Sequence, residues 1–204
     1  MTALACGQGS VYWEGMKKYP PRDFLYLRHG QTEWNRQGRM QGATDIPLND
    51  TGRDQAREAA GRLTGTHIDR IIASPMLRAA ETAEIVATSK GLAVSHDDRL
   101  KERYFGAFDG MLLSEIREKH GVGDGVSIWS LNSPEAEPYD VALSRTIDSL
   151  CEHLADSDDS VLFVAHGALF TLMTEHLFDV RMQSANATPY RVFREEGVWR
   201  AHEI

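Results

Sequence analysis

Three short apolar runs in this chain of 204 residues end in side chains able to bind an anion. Phe24-Leu25-Tyr26-Leu27 runs into Arg28-His29-Gly30, and Arg70-Ile71-Ile72-Ala73 runs into Ser74-Pro75 with Arg78 one turn later. Val161-Leu162-Phe163-Val164-Ala165 runs into His166-Gly167. If the three runs are parallel strands, their ends converge and gather two arginines with two histidines. Guanidinium forks match the oxygens of a tetrahedral phosphoryl group. Helices starting near Pro75 and Gly167 would add backbone N–H groups and positive dipole ends. The remaining histidines, His67, His96, His120, His153, His176 and His202, lack such companions and read as surface or packing residues. The chain has no HExxH or comparable ligand spacing, and arginines beside the histidines would repel a cation, so no metal site is expected.

The elements that must position these groups follow from hydrophobic period and punctuation. Ala56, Ala59, Ala60 and Leu63 recur at helical spacing within Asp54–Leu63, with Gly65 as a stop. Ser74-Pro75 reads as an N-cap followed by the first helical position of a helix running to about Lys90, where Gly91 ends it. Leu143, Ile147, Leu150, Cys151 and Leu154 form one apolar helical face. A helix over Ala168–Leu177 follows the third run, and Tyr190–Arg194 with Val198–Ala201 read as a terminal hairpin. Strands alternating with helices predict an α/β fold of three layers, α/β/α, with a mainly parallel central sheet. In such sheets function collects at the carboxyl ends of the strands. Residues 1–22, ending at Pro20-Pro21, read as an N-terminal extension, and 23–204 as a single domain. A Gly- and Pro-rich stretch over 121–138 reads as a long loop, part of a lid expected over about 107–138.

Composition narrows the class of function. Hydrophobic residues make up 42% and charged residues 25%, enough apolar surface to exclude intrinsic disorder. The net charge of −8 argues against a nucleic-acid or anionic-membrane partner, although an acidic surface can still enclose a basic pocket. Cys6 and Cys151 are too few for a disulfide framework. No apolar run approaches the length of a membrane span, and the N-terminus does not read as a signal peptide. A cytoplasmic protein with a small phosphorylated substrate and no cofactor is the expectation; its oligomeric state is open.

The stretch LRHGQTEWNRQGRMQGATDIPLNDTGRDQA, from Leu27 to Ala56, resembles the opening signature of the histidine phosphatase superfamily, which includes the cofactor-dependent phosphoglycerate mutases. SPMLRAAETAEIV from Ser74, LKERYFGAFDG from Leu100 and VAHGALF from Val164 match in order, and ANATPY from Ala185 matches more weakly. The resemblance covers roughly residues 24–193. It implies that His29 is a nucleophile carried as a phosphohistidine. Arg28, Arg78 and His166 would hold the phosphoryl oxygens, helped by Asn35 and the Gly167 N–H. Glu102 would protonate the leaving oxygen and then activate water, and Gln41 and Gly42 would touch substrate. These roles are physically coherent. Flanking arginines disfavour protonation of a nucleophilic histidine, fixed positive charge stabilises the transferring phosphoryl group, and an alkoxide needs a proton from an acid whose pKa is raised.

Hydrolysis and mutase chemistry share this machinery. Arg103 beside Glu102 is similar to the mutase form of its block and is a candidate substrate-binding residue. Mutases of this family, however, carry a lysine after the GxxxG element and an arginine pair near a tryptophan. Here Leu112-Leu113 and Ser130-Leu131 stand in those regions. Only 64 positions separate Glu102 from His166, which implies a small lid that admits water. The expected activity is therefore phosphomonoester hydrolysis, with phosphoglycerate mutase-type transfer as the alternative. A non-catalytic phospho-ligand binder is disfavoured by the complete set of His29, Arg28, Arg78, Glu102 and His166.

Overall fold

The computed structural model describes residues 18–123, 133, 135–155 and 157–204. Six strands form one sheet in the order β3-β2-β4-β1-β5-β6: β1 (Phe24–Arg28), β2 (Arg70–Ala73), β3 (Val94–His96), β4 (Val161–Ala165), β5 (Pro189–Glu195) and β6 (Val198–Glu203). The first four strands run parallel, while β5 pairs antiparallel with both β1 and β6. The terminal hairpin is thus longer than the sequence signal and supplies the sheet's antiparallel edge.

Period-two alternation sorts the strand residues between two helical layers. Phe24, Tyr26, Ile72 and Phe163 pack with α5 (Tyr139–Ala155) and α6 (Gly167–Phe178) on one face. Leu25, Leu27, Ile71, Leu162 and Val164 pack with α2 (Asp50–Arg62) and α3 (Leu77–Lys90) on the other. Burial of each such large apolar side chain contributes about 1.5–3 kcal/mol, so the strand ends stand on a close-packed base. The predicted face of Leu150, Cys151 and Leu154 is buried as expected. No helix among the described residues is long and apolar enough to cross a membrane.

Several boundaries differ from the sequence reading for identifiable reasons. The helix expected from Asp54 starts at Asp50, because the Asn49 side chain accepts from the Gly52 N–H at 2.8 Å and caps it. The helix expected to begin at Pro75 begins at Leu77 instead. Met76 takes the cap position; the Ser74 hydroxyl accepts from Met76 N–H at 3.3 Å and also pairs with His166, while the Asp45 side chain accepts from the Leu77 N–H at 2.8 Å. Part of the expected lid is regular, with a 3-10 turn at Gly106–Phe108 and α4 at Leu113–His120. Phe108 and Ile116 anchor this region in a small apolar cluster with Met40, Phe105 and Ala168, and Met111 and Leu113 pack against it. Ile128 and Trp129 lie outside the described residues, as does the extension before Lys18. Short α1 (Glu33–Gln37) is closed by a capping box between Thr32 and Asn35.

The loop after β1 is fixed by backbone contact with α2. A Cβ at Gly30 would lie 2.3 Å from the Gly52 carbonyl oxygen, a neighbour held in a helix. Gly30→Ala should destabilise the protein by about 1–3 kcal/mol. A thermal melt would check this, and an unchanged midpoint would mean the loop adapts freely.

Candidate active site

The register brings the predicted ends together. Arg28 pairs with Ala165 across β1 and β4, and Ala73 pairs with Val164 across β2 and β4. The backbone continues the same ladder past the strands, with His29 N–H donating to Ala165 O at 3.0 Å and Ser74 N–H to Val164 O at 2.9 Å. His29 and His166 therefore stand side by side, with ring centroids 5.3 Å apart.

His29 is 2% exposed, and both ring nitrogens have defined partners. Nδ1 lies 2.7 Å from Gly30 O, which can only accept, so Nδ1 carries the proton. Nε2 keeps its lone pair and accepts from Arg78 Nε at 3.3 Å. Burial, then the charges of Arg78 and Arg28, hold the ring's pKa well below the ordinary histidine value. The result is a neutral imidazole whose unprotonated Nε2 faces a guanidinium.

Arg78 is fully buried at the start of α3 and spans three anchors. Nη1 donates to Thr44 O at 2.9 Å, Nη2 to Gly42 O at 3.0 Å, and Nε reaches His29. Arg28 donates through Nη1 to Ser184 O at 2.6 Å. Its guanidinium lies against Gly167, where a Cβ would stand 3.2 Å from Nε. Burial lowers the pKa of both arginines from the usual range, yet guanidinium stays charged in proteins.

His166 is held through its backbone as well as its ring. The Tyr26 hydroxyl donates to His166 O at 2.8 Å and accepts from His166 N–H at 3.2 Å. Ring Nε2 lies 2.8 Å from Ser74 Oγ. Burial and Arg78 lower its pKa well below the usual value, so this ring is also neutral. Among the described residues, five buried side-chain polar atoms lack a hydrogen-bond partner, and three belong to this site or to the residue that anchors Arg28: Arg28 Nε, His166 Nδ1 and Ser184 Oγ. Buried groups of this kind are costly unless a ligand completes them. If Ser74 donates to His166 Nε2, the proton sits on Nδ1, and Arg28 Nε and His166 Nδ1 are two donors suited to an oxyanion.

Glu102 comes from the segment after β3, on the wall of a 580 Å³ cavity that Ala43, Asp45, Met76, Tyr104 and Lys101 also line. Its oxygens accept from Arg103 N–H at 2.9 Å and Ala168 N–H at 3.2 Å, so the first turn of α6 holds this carboxyl. Burial raises its pKa above the ordinary carboxylate value, against the opposing pull of those N–H groups and of Arg78 and Arg28. Among the described residues no group of three or more His, Cys, Asp or Glu is arranged to hold a metal ion.

Residues 24–199 match the sequence model of the histidine phosphatase superfamily (branch 1). The chain belongs to the histidine phosphatase superfamily. It is 38% identical over 151 residues to the uncharacterized phosphatase PhoE of Bacillus subtilis, covering 73% of this chain and 74% of that one. It is 32% identical over 190 residues to a 2,3-bisphosphoglycerate-dependent phosphoglycerate mutase of Caulobacter vibrioides, covering 76% and 80%. A mycobacterial glucosyl-3-phosphoglycerate phosphatase solved with VO3 superposes with a TM-score of 0.78 at 27% identity, covering 89% of this chain and 98% of that one. Phosphatases and phosphoglycerate mutases thus both stand among its relatives.

Within this histidine phosphatase fold the outer candidates have varied surroundings. Asn35 caps α1, and its Oδ1 accepts from Thr32 N–H and from Asn186 Nδ2. Gln41 is buried, with Oε1 accepting from Thr32 Oγ1 at 2.8 Å. Gly42 has φ +51°, and the Asp109 carboxylate occupies the place of its Cβ, so this residue serves Arg78 through its carbonyl. Arg103 differs most from expectation. It is 2% exposed, stacks 3.9 Å from the Tyr139 ring centroid and donates to Glu137 O at 2.7 Å. Those contacts commit it to packing between the Glu102 segment and the start of α5, which leaves its expected substrate contact without support.

Sequence reasoning missed four supporting groups: Ser74 as the partner of His166, and Tyr26 on its backbone; Asn186, donating to His29 O at 3.0 Å; and Thr82, whose hydroxyl accepts from Gly30 N–H at 3.0 Å. Signals were present for three of them: Ser74 stands at a strand end, Thr82 lies in the block from Ser74, and Asn186 lies in the weaker block from Ala185.

Proposed function

We propose that the protein is a phosphomonoester hydrolase acting on a small phosphorylated metabolite through a phosphohistidine intermediate. The observation that carries the reading is the His29 Nε2 lone pair, fixed by the Nδ1–H bond to Gly30 O and bordered by Arg78 and Arg28. The substrate phosphoryl group sits between Arg28, Arg78 and His166. His29 Nε2 attacks phosphorus, the bond to the leaving oxygen breaks, and Glu102 gives that oxygen its proton. Water then enters, Glu102 takes one of its protons, and the new oxygen–phosphorus bond releases inorganic phosphate and free His29. Positive charge already in place stabilises both transition states without reorganisation.

The mutase reading has a specific counterweight in the cavity. A phosphoglycerate carboxylate needs a cation, yet Lys101 faces Asp98 at 3.0 Å and Arg145 faces Glu137 at 2.7 Å. In sequence alone, residues 124–132, which lie outside the described residues, also lack lysine and arginine. Hydrolysis of esters with an uncharged leaving alcohol suits this lining better.

The test is a panel of small phosphomonoesters scored for phosphate release, beside isomerisation of 3-phosphoglycerate primed with 2,3-bisphosphoglycerate. Release should dominate, be inhibited by vanadate and persist in EDTA. Efficient primed isomerisation would overturn the preference for hydrolysis, and loss in EDTA restored by a divalent ion would contradict the metal-free chemistry.

A further inference from the structure

The segment that carries Glu102 is held by a second layer of charge. Arg145, on α5, meets the Glu137 carboxylate through both Nε and Nη2, at 2.7 and 2.8 Å. Its Nη1 donates at 2.6 Å to the carbonyls of Arg99 and Lys101, which stand on either side of Leu100 immediately ahead of Glu102. Glu137 is the opposite jaw. Its N–H donates to Tyr104 O at 2.9 Å and its carbonyl accepts from Arg103 Nε at 2.7 Å. The two side chains are only 20% and 18% exposed, so water competes weakly for these bonds. Residues 99–104 are thereby grasped on both sides of Glu102 by groups on the return from the lid region into α5.

We propose that Arg145 and Glu137 form a latch that positions Glu102 for proton transfer, a role resting on the assignment of Glu102 as the proton donor. Both side chains line the cavity beside Glu102, but they bond to each other and to backbone carbonyls rather than to Arg28, His29, Arg78 or His166. Each acts by fixing the backbone on either side of the carboxyl, whose own oxygens are aimed by Arg103 N–H and Ala168 N–H. General acid catalysis depends steeply on placement, because the proton must reach the leaving oxygen as the ester bond breaks. An alkyl ester needs that proton. A p-nitrophenyl ester does not, because its phenolate leaves unaided.

The test compares kcat/KM for β-glycerophosphate and p-nitrophenyl phosphate in the wild type, Arg145→Met, Arg145→Lys and Glu137→Gln. The ratio kcat/KM reports transfer to the enzyme and is insensitive to the later hydrolytic step. Arg145→Met and Glu137→Gln should lose about 10- to 100-fold on the alkyl ester and less than about 3-fold on the aryl ester. Arg145→Lys, able to keep one carbonyl bond, should fall between. Equal losses on both esters in Arg145→Met and Glu137→Gln, or no loss in either, would overturn the latch. If Arg145→Met fails to fold, Glu137→Gln and Arg145→Lys decide by the same ratio. A wild type inert toward every phosphomonoester would instead overturn the phosphatase reading itself.

Discussion

His29→Ala should lower turnover of any phosphomonoester by at least about 10,000-fold, the scale seen when a covalent nucleophile is removed from an enzyme. The size follows from what the ring does. It supplies an unprotonated ring nitrogen held against Arg78 Nε, and direct attack by water would forfeit the two-step path. The substitution also strands the Gly30 carbonyl and Arg78 Nε, so a loss of about 1–3 kcal/mol in stability should accompany it. A melting curve separates the two effects. A folded His29→Ala protein with substantial activity would show that the arginines and Glu102 hydrolyse esters without a covalent step.

Glu102→Gln should lower kcat/KM for alkyl phosphates by about 100- to 10,000-fold, the usual contribution of a general acid, and spare aryl phosphates much more. The amide keeps the shape and can still accept from Arg103 N–H or Ala168 N–H. It has no proton to give on the reaction path. The pH profile carries a second signature. The active form needs neutral His29 and protonated Glu102. Burial and the arginines lower the His29 pKa, so the acidic limb of kcat/KM lies below the ordinary histidine range. Burial raises the Glu102 pKa, so the alkaline limb lies above the ordinary carboxylate range. Wild-type activity on alkyl esters should therefore fall as pH rises through the Glu102 pKa, and Glu102→Gln should lose that limb. An unchanged profile in the variant would assign the proton to another group.

What sequence could disclose here depended on how local the physics was. Arg28, His29 and His166 were legible because each follows an apolar run, and parallel strands must deliver their ends to one edge of a sheet. The register between Arg28 and Ala165 realises that rule. Arg78 was legible one turn after its strand end, whereas Glu102 gained its meaning from family resemblance, since a charged residue after a strand carries no distinctive period. Ser74 misled because a serine before proline has the chemistry of a helix cap, and only the packed structure reveals the competing claim of His166. Arg103 misled for a related reason: its partner Tyr139 lies 36 positions away, on the far side of the lid region. Asn186, Thr82 and the pair Arg145 and Glu137 are tertiary supports whose side chains are polar but unremarkable in sequence. The short strand Val94–His96 and helix Leu113–His120 escaped because neither shows an apolar period long enough to register.

The acidic surface is consistent with this account, because the charge that matters is local. In the proposed reading two arginines beside neutral histidines form the anion site, while the chain as a whole carries −8.

Covalent attack by His29 is the claim on which the rest depends, and rapid quenching of the wild type with a phosphoryl-labelled ester tests it most directly. Mapping by mass spectrometry should find one phosphoryl group on His29, labile in acid and stable in base, formed and consumed at rates that match turnover. Steady turnover with no phosphoryl group on His29, or with the label on another side chain, would contradict it.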